Sequence, residues 1–223
     1  MASLTIENYV KAIYQICVRQ NDAPAATGQV AESLGVSPGT VTSMLKTLDE
    51  SELAAYTPYE GVKLTSTGRK LALRVLRRHR LIELFLVKTL DLSWHEVHEE
   101  AENMEHAVSD LLIDRIDEFL DFPEVDPHGD PIPKADGTVS SSASKRLSEL
   151  KADDEFELVR VIDQSSEFLQ YLSENGLRLG ALGRIVANSA AAGVITIKVD
   201  GNQTTLSHEV AGKLMVLPAV EVA

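Results

Sequence analysis

The chain has 223 residues, 44% hydrophobic and 25% charged, an ordinary globular composition that excludes a disordered, collagen-like or coiled-coil rod protein. A single cysteine, Cys17, precludes an intramolecular disulfide; with no secretory pattern at the N-terminus and no apolar run of about 18 residues, a soluble, cytoplasmic protein without a membrane partner is expected. The net charge of −13 is unevenly placed, since residues 1–80 hold ten Lys/Arg against seven Asp/Glu, and residues 81–223 eleven against twenty-seven. Exposed charges reach only about 10 Å at 0.1 M salt, so blocks rather than totals decide phosphate attraction. A basic front end is compatible with DNA, and the acidic remainder with cations.

In chain order, Ile6, Tyr9, Val10, Ile13, Tyr14 and Cys17 recur at three- and four-residue steps and predict an amphipathic first helix. Two short helices are expected at 27–34 and 38–51, divided by Gly35-Val36-Ser37; Ser37 before Pro38 is a start signal, a capping hydroxyl ahead of a first-turn proline. Residues 54–64 carry two β-prone runs around Glu60-Gly61 and predict a hairpin. A long helix is expected over 67–90, and Ser93-Trp94-His95-Glu96 reads as a capping box opening one helix through Phe119. The stretch Asp126–Pro133, D-P-H-G-D-P-I-P, with Ser140, Ser141, Ser142 and Ser144 soon after, marks the main boundary, because proline denies the backbone both helix and interior strand. Beyond it the period falls to two. Strands are expected around Phe156–Ile162 and at 182–187, 194–199, 203–206 and 214–217, with a short helix at 167–174 and a tight turn at Asp200-Gly201, together a small, mostly β barrel.

Helix, glycine-containing turn, helix and hairpin is the winged helix-turn-helix order. The second short helix offers Ser37, Pro38, Gly39, Thr40, Thr42, Ser43 and Lys46, with Thr27 opening the helix before it. Small hydroxylated side chains at a helix N-terminus suit the major groove, and equally suit a self-capping surface helix. The cluster Arg74, Arg77, Arg78 and Arg80 fits either phosphate contact or a solvated helix face.

His79 and Glu83 are four apart on one helix, and His98, Glu102, Glu105 and His106 form a stripe about 100° wide on the next. Imidazole with carboxylate suits Mn, Fe, Zn or Co; the alternative is a solvated acidic face, Glu99 to Glu105, with bystander histidines. A metallohydrolase using the same residues is disfavoured because H-E-x-x-H is absent, His95-Glu96-Val97-His98 having the wrong spacing. There is neither a Gly-rich phosphate loop nor a G-x-S-x-G elbow, and Cys17 reads as core.

The chain as a whole resembles the metal-dependent repressors of the diphtheria toxin repressor family, which include iron and manganese regulators. The resemblance rests on E-N-Y-V-K-A-I-Y (Glu7–Tyr14), S-P-G-T-V-T (Ser37–Thr42), L-T-S-T-G-R (Leu64–Arg69), R-R-H-R-L-I-E (Arg77–Glu83), V-H-E-E-A-E-N-M-E-H (Val97–His106) and H-G-D-P-I-P (His128–Pro133), in order, with the β tail. It implies a mainly α fold with β: a winged helix-turn-helix DNA-binding domain at 1–73, a helical dimerisation and metal-binding domain at 74–139, a linker at 140–150, and an SH3-like, FeoA-type small β barrel at 151–223. It implies a homodimer on palindromic double-stranded operator DNA, no small-molecule substrate, and repression of metal-uptake genes when cation is replete.

The resemblance places a primary metal site on Asn8, Glu102, Glu105 and His106. An ancillary site falls on His79, Glu83 and His98, completed by Gln164 and Glu167. Glu102 stands where iron-type members carry Cys and manganese-type members Glu. Carboxylate is the harder ligand, so Mn²⁺ is expected ahead of Fe²⁺, with Zn²⁺ or Co²⁺ as substitutes in vitro. Asn8 offers only a neutral oxygen where Asp or Met is usual. Lys11 stands where two-domain manganese members have a ligand Glu, which favours the two-site, three-domain layout. A metal-independent winged-helix regulator is the remaining alternative.

Overall fold

Ser3 Oγ accepts from the Ile6 amide and starts α1 (Leu4–Arg19), whose inner face buries Tyr9, Val10, Ile13 and Cys17. The computed structural model describes residues 3–140 and 143–218. The chain divides into two compact units, one of Met1–His79, Glu102–Ile113 and Pro133–Val139, the other of Arg80–Ala101, Asp114–Ile132 and Ser140–Ala223. Ser141 and Ser142 lie outside the described residues.

In the first unit, α2 (Thr27–Leu34) ends at Gly35 in the left-handed conformation. Ser37 then caps α3 (Pro38–Glu50), its Oγ accepting from the Thr40 amide at 3.2 Å. Val41, Leu45 and Leu48 on α3 are fully buried and pack with α1, Val30 of α2, and the hairpin β1 (Ala54–Thr57) and β2 (Gly61–Leu64). Complete burial of a Leu or Val contributes about 1.5–3 kcal/mol each, so this cluster fixes where the outer face of α3 points. Gly61 holds φ +108°, and a Cβ there would come 2.7 Å from the Ala25 carbonyl oxygen, the point where residue 25 bridges to Val62 of β2. Thr65 Oγ1 accepts from the Gly68 amide and opens the long α4 (Ser66–Leu90).

The expected helix from 93 to 119 is two helices, α5 (Val97–Met104) and α6 (Asp110–Phe119). Met104 is followed by a turn in which its carbonyl accepts from Ala107 and Val108, and Ser109 Oγ then receives the Leu112 amide as a new cap. Glu105 and His106 therefore lie on a turn rather than on a helical stripe. The Ser93–Glu96 signal precedes α5: Ser93 donates to the Glu96 carboxylate from its backbone amide at 3.1 Å and from its hydroxyl.

In the second unit a six-stranded antiparallel sheet runs in the order β3-β8-β4-β5-β6-β7. Its members are β3 (Lys145–Arg146), β4 (Glu155–Val161), β5 (Leu182–Ser189), β6 (Val194–Val199), β7 (Asn202–Ser207) and β8 (Leu214–Pro218), with α7 (Ser166–Glu174) and the short α8 (His208–Ala211). On β4, Phe156, Leu158 and Val161 all point inward, although their spacing is two and then three, because a register shift between Leu158 and Arg160 inserts the extra residue. Asp200 and Gly201, at φ 48° and 84°, make the two-residue turn joining β6 to β7.

One expectation is corrected: the linker 140–150 contains β3 and a 3-10 turn, Leu147–Glu149, with Leu147 fully buried. The proline-rich stretch 126–133 runs up to a change of unit at Ile132/Pro133 and is itself packed inside. His128 is fully buried, its carbonyl accepts from the Val161 amide, and a Cβ on Gly129 would fall 2.0 Å from the Val159 oxygen. No helix of the described residues is long and apolar enough to cross a membrane.

Candidate metal centre and nucleic-acid interface

In the first unit, α1 supplies Glu7, Asn8 and Lys11, α4 supplies His79, α5 supplies Glu102, and the turn after it supplies Glu105 and His106. His79 Nδ1 lies 2.6 Å from Glu105 Oε2 and 3.9 Å from Glu102 Oε1; ligand atoms of His79, Glu102 and Glu105 fall within 4.8 Å of one another. His106 Nδ1 lies 2.7 Å from Glu7 Oε2, and its Nε2 is 3.2 Å from Glu105 Oε1. Lys11 Nζ reaches Glu102 Oε1 at 2.6 Å and the two Glu105 oxygens at 2.7 and 2.9 Å.

Glu105 is wholly buried. Burial alone would push its carboxyl pKa up, but the His79 hydrogen bond and the Lys11 charge outweigh this and hold it below the ordinary value. It is therefore a carboxylate at neutral pH. Asn8 Oδ1 and His106 Nε2 are buried without a hydrogen-bond partner, an arrangement proteins avoid unless another group completes it. Two carboxylates, two imidazoles and an orphaned amide oxygen form a donor set that fits a divalent cation.

A second cluster lies in the other unit. Glu83, Asp126 and His128 are buried with ligand atoms within 4.8 Å of one another, and His98 Nδ1 is 3.3 Å from Glu83 Oε1. His128 Nε2 donates to the Trp94 carbonyl at 2.7 Å, which leaves Nδ1 facing Glu83 at 3.7 Å and Asp126 at 3.9 Å. Burial, then the charges of Asp130 and Glu83, push the Asp126 carboxyl up to about 7. Burial works against the charged form of His128, but Glu83 and Asp126 more than offset it and raise its pKa.

Of the residues expected in an ancillary site, Glu83 and His98 lie together in this second unit, with His98 Nδ1 3.3 Å from Glu83 Oε1; His79 Nδ1 lies 2.6 Å from Glu105 Oε2. Gln164 donates to Asp130 at 2.9 Å, and Glu167 is exposed in the first turn of α7. Sequence reasoning missed Glu7, Asp126 and His128. The last two sit in the D-P-H-G-D-P-I-P stretch, 126–133, where a histidine and two aspartates among prolines were a usable signal.

On α3, Ser37, Pro38, Gly39, Thr40, Ser43 and Lys46 are exposed; Thr42 and Thr27 are half-buried. Thr42 and Ser43 hydroxyls donate back to the Pro38 and Gly39 carbonyls, which leaves their oxygens as outward acceptors. Within the arginine cluster, Arg74 is exposed on α4, while the other three are taken up inside the protein. Arg77 and Arg78 are buried, Arg77 donating to the Pro133 carbonyl and Arg78, with Arg74, pairing with Asp110; Arg80 donates to Pro131 and faces Asp126 and Asp130.

Residues 1–62 match the iron dependent repressor N-terminal DNA binding domain, 65–134 the iron dependent repressor metal binding and dimerisation domain, and 145–218 the FeoA domain. The iron-dependent repressor IdeR of Mycobacterium tuberculosis is 30% identical over 223 residues, covering 93% of this chain and 94% of that one. The chain belongs to the iron-dependent repressor family. Within it, the manganese-dependent repressor solved in complex with manganese is 36% identical, with a TM-score of 0.85 over 96% of this chain and 99% of that one. The regulator MntR of Bacillus subtilis is 33% identical over 126 residues, 56% of this chain and 87% of its own. As a family member the chain is a DNA-binding transcriptional repressor and not an enzyme, so the hydrolase alternative falls.

Proposed function

We propose that this repressor is activated by a divalent cation held between Asn8 of α1 and Glu102, Glu105 and His106, Mn²⁺ ahead of Fe²⁺, and that as a cytoplasmic homodimer it binds a palindromic operator controlling metal-uptake genes. The observation that carries this reading is the meeting of α1 with Glu102, Glu105 and His106, in the same unit as α3. A bound divalent cation supplies the charge that ties these carboxylates together. Glu7 orients His106, Asn8 brings its orphaned oxygen, and Glu102 offers hard oxygen rather than thiolate, which supports Mn²⁺. Glu83, Asp126 and His128, with His98, form the set for a second cation. Thr27, Ser37, Pro38, Gly39, Thr40, Thr42, Ser43 and Lys46 face the operator, Thr40 and Ser43 toward base edges.

The test is binding of the full-length protein to its own upstream DNA in chelator and then with Mn²⁺, Fe²⁺ or Zn²⁺, with the assembly state measured by ultracentrifugation. Metal-dependent binding of a dimer, strongest with Mn²⁺, supports the reading; equal binding in chelator makes this a metal-independent winged-helix regulator.

A further inference from the structure

The first-unit cluster contains a cation of its own. Lys11 lies one helical turn beyond Glu7 on α1, its side chain 9% exposed, and its Nζ is 2.6 Å from Glu102 Oε1 and 2.7 and 2.9 Å from the two oxygens of Glu105. The ammonium thus bridges the two carboxylates, donating to Glu102 and in a forked contact to both oxygens of Glu105. The same two carboxylates, together with His79, form the converging donor group. A second cation arriving on those oxygens would sit within van der Waals range of the ammonium, where like charges out of bulk water repel too strongly to share a site. Lys11 must withdraw first, and its four-carbon stem allows that.

We propose, on the reading that these carboxylates serve a divalent cation, that Lys11 is a tethered competitor: its ammonium holds α1 onto Glu102 and Glu105 and is displaced when a divalent cation binds there, so that the site fills only at a higher metal concentration. The residue thus has two opposed effects. It braces α1 in metal-free protein, because without it two neighbouring carboxylates, one wholly buried, lose a full positive charge that lies between them. It also weakens metal binding by occupying the ligands.

The experiment is calorimetric titration of chelator-stripped, full-length protein with Mn²⁺, for wild type, Lys11→Met and Lys11→Arg, each repeated with Glu105→Gln to identify the heat that belongs to this site. Lys11→Met should bind Mn²⁺ through Glu105 about tenfold tighter or more, within the usual span of coupled sites. Lys11→Arg, which keeps the charge, should not gain, and metal-free Lys11→Met should melt below wild type. Should the methionine variant fail to stay folded without metal, Lys11→Gln, neutral yet able to donate to the carboxylates, carries the same expectation. Glu105-dependent binding in wild type with no gain on neutralising Lys11, or an equal gain in Lys11→Arg, overturns the competition alone. Absence of Glu105-dependent binding in every protein overturns the metal reading of the cluster and the competition with it.

Discussion

Glu7 Oε2 lies 2.7 Å from His106 Nδ1, across 99 positions of the chain. The carboxylate accepts a hydrogen bond from Nδ1–H, so the Nε2 lone pair is directed to the side of Glu105, 3.2 Å away. A carboxylate behind a ligand imidazole fixes both its ring orientation and its tautomer. Glu7→Gln should therefore lower Mn²⁺ affinity about 10- to 100-fold, the usual cost of losing such a partner. Calorimetry on a variant whose melting curve matches wild type measures this; unchanged affinity would remove His106 from the ligand set.

Glu102 should govern metal preference. It and Glu105 are the two carboxylates that, with His79, converge in the first unit. Glu102→Gln removes one of the two charges that balance a divalent cation, so Mn²⁺ activation of operator binding should weaken strongly with the fold intact. Glu102→Cys should shift preference toward Fe²⁺, Co²⁺ or Zn²⁺, since thiolate is softer. Operator binding titrated with each metal decides; full Mn²⁺ activation of Glu102→Gln would move the site elsewhere.

Asp126 gives a pH dependence of definite sign. Its folded pKa is raised to about 7 from an ordinary 3.8, so between these values the folded state holds a proton that the unfolded state has released. The Asp126 contribution to stability accordingly declines from about pH 4 to about pH 7 and is level above. Asp126→Asn cannot ionise. In chelator, the melting temperature of Asp126→Asn minus that of wild type should rise across that interval. A pH-independent difference would show that Asp126 titrates normally.

Much of this arrangement is legible in the sequence, and the rest is hidden for identifiable reasons. Ser37-Pro38 and the apolar steps of α1 are local signals, and they place α3 and its exposed hydroxyls correctly. The His98–His106 stripe names Glu102, Glu105 and His106 while assuming the wrong backbone, because Met104 and Ser109 divide one helical pattern into two helices. The partners of those ligands are unreadable locally. Nothing in the period of α1 distinguishes Glu7, which holds His106, from any first-turn acid, and Lys11 looks like a surface lysine until α5 is packed beside it. Proline and glycine in 126–133 read as a boundary, and they also bend a buried loop that carries Asp126 and His128.

The exposed hydroxyls of α3 should carry sequence information. Thr40→Ala and Ser43→Ala should weaken operator binding far more than random-DNA binding, because base-edge contacts specify and phosphate contacts do not. Anisotropy with both DNAs at one salt concentration checks it, and equal losses would place both residues on the backbone.

The central claim is that a cation on the Glu105 cluster controls DNA binding, and it is tested most directly by operator affinity with and without Mn²⁺ in wild type and Glu105→Gln. Coupling between two such sites is commonly about 5- to 150-fold. Mn²⁺ should strengthen wild-type binding within that span and leave Glu105→Gln at its chelator value. Equal strengthening of both proteins by Mn²⁺ would contradict the account.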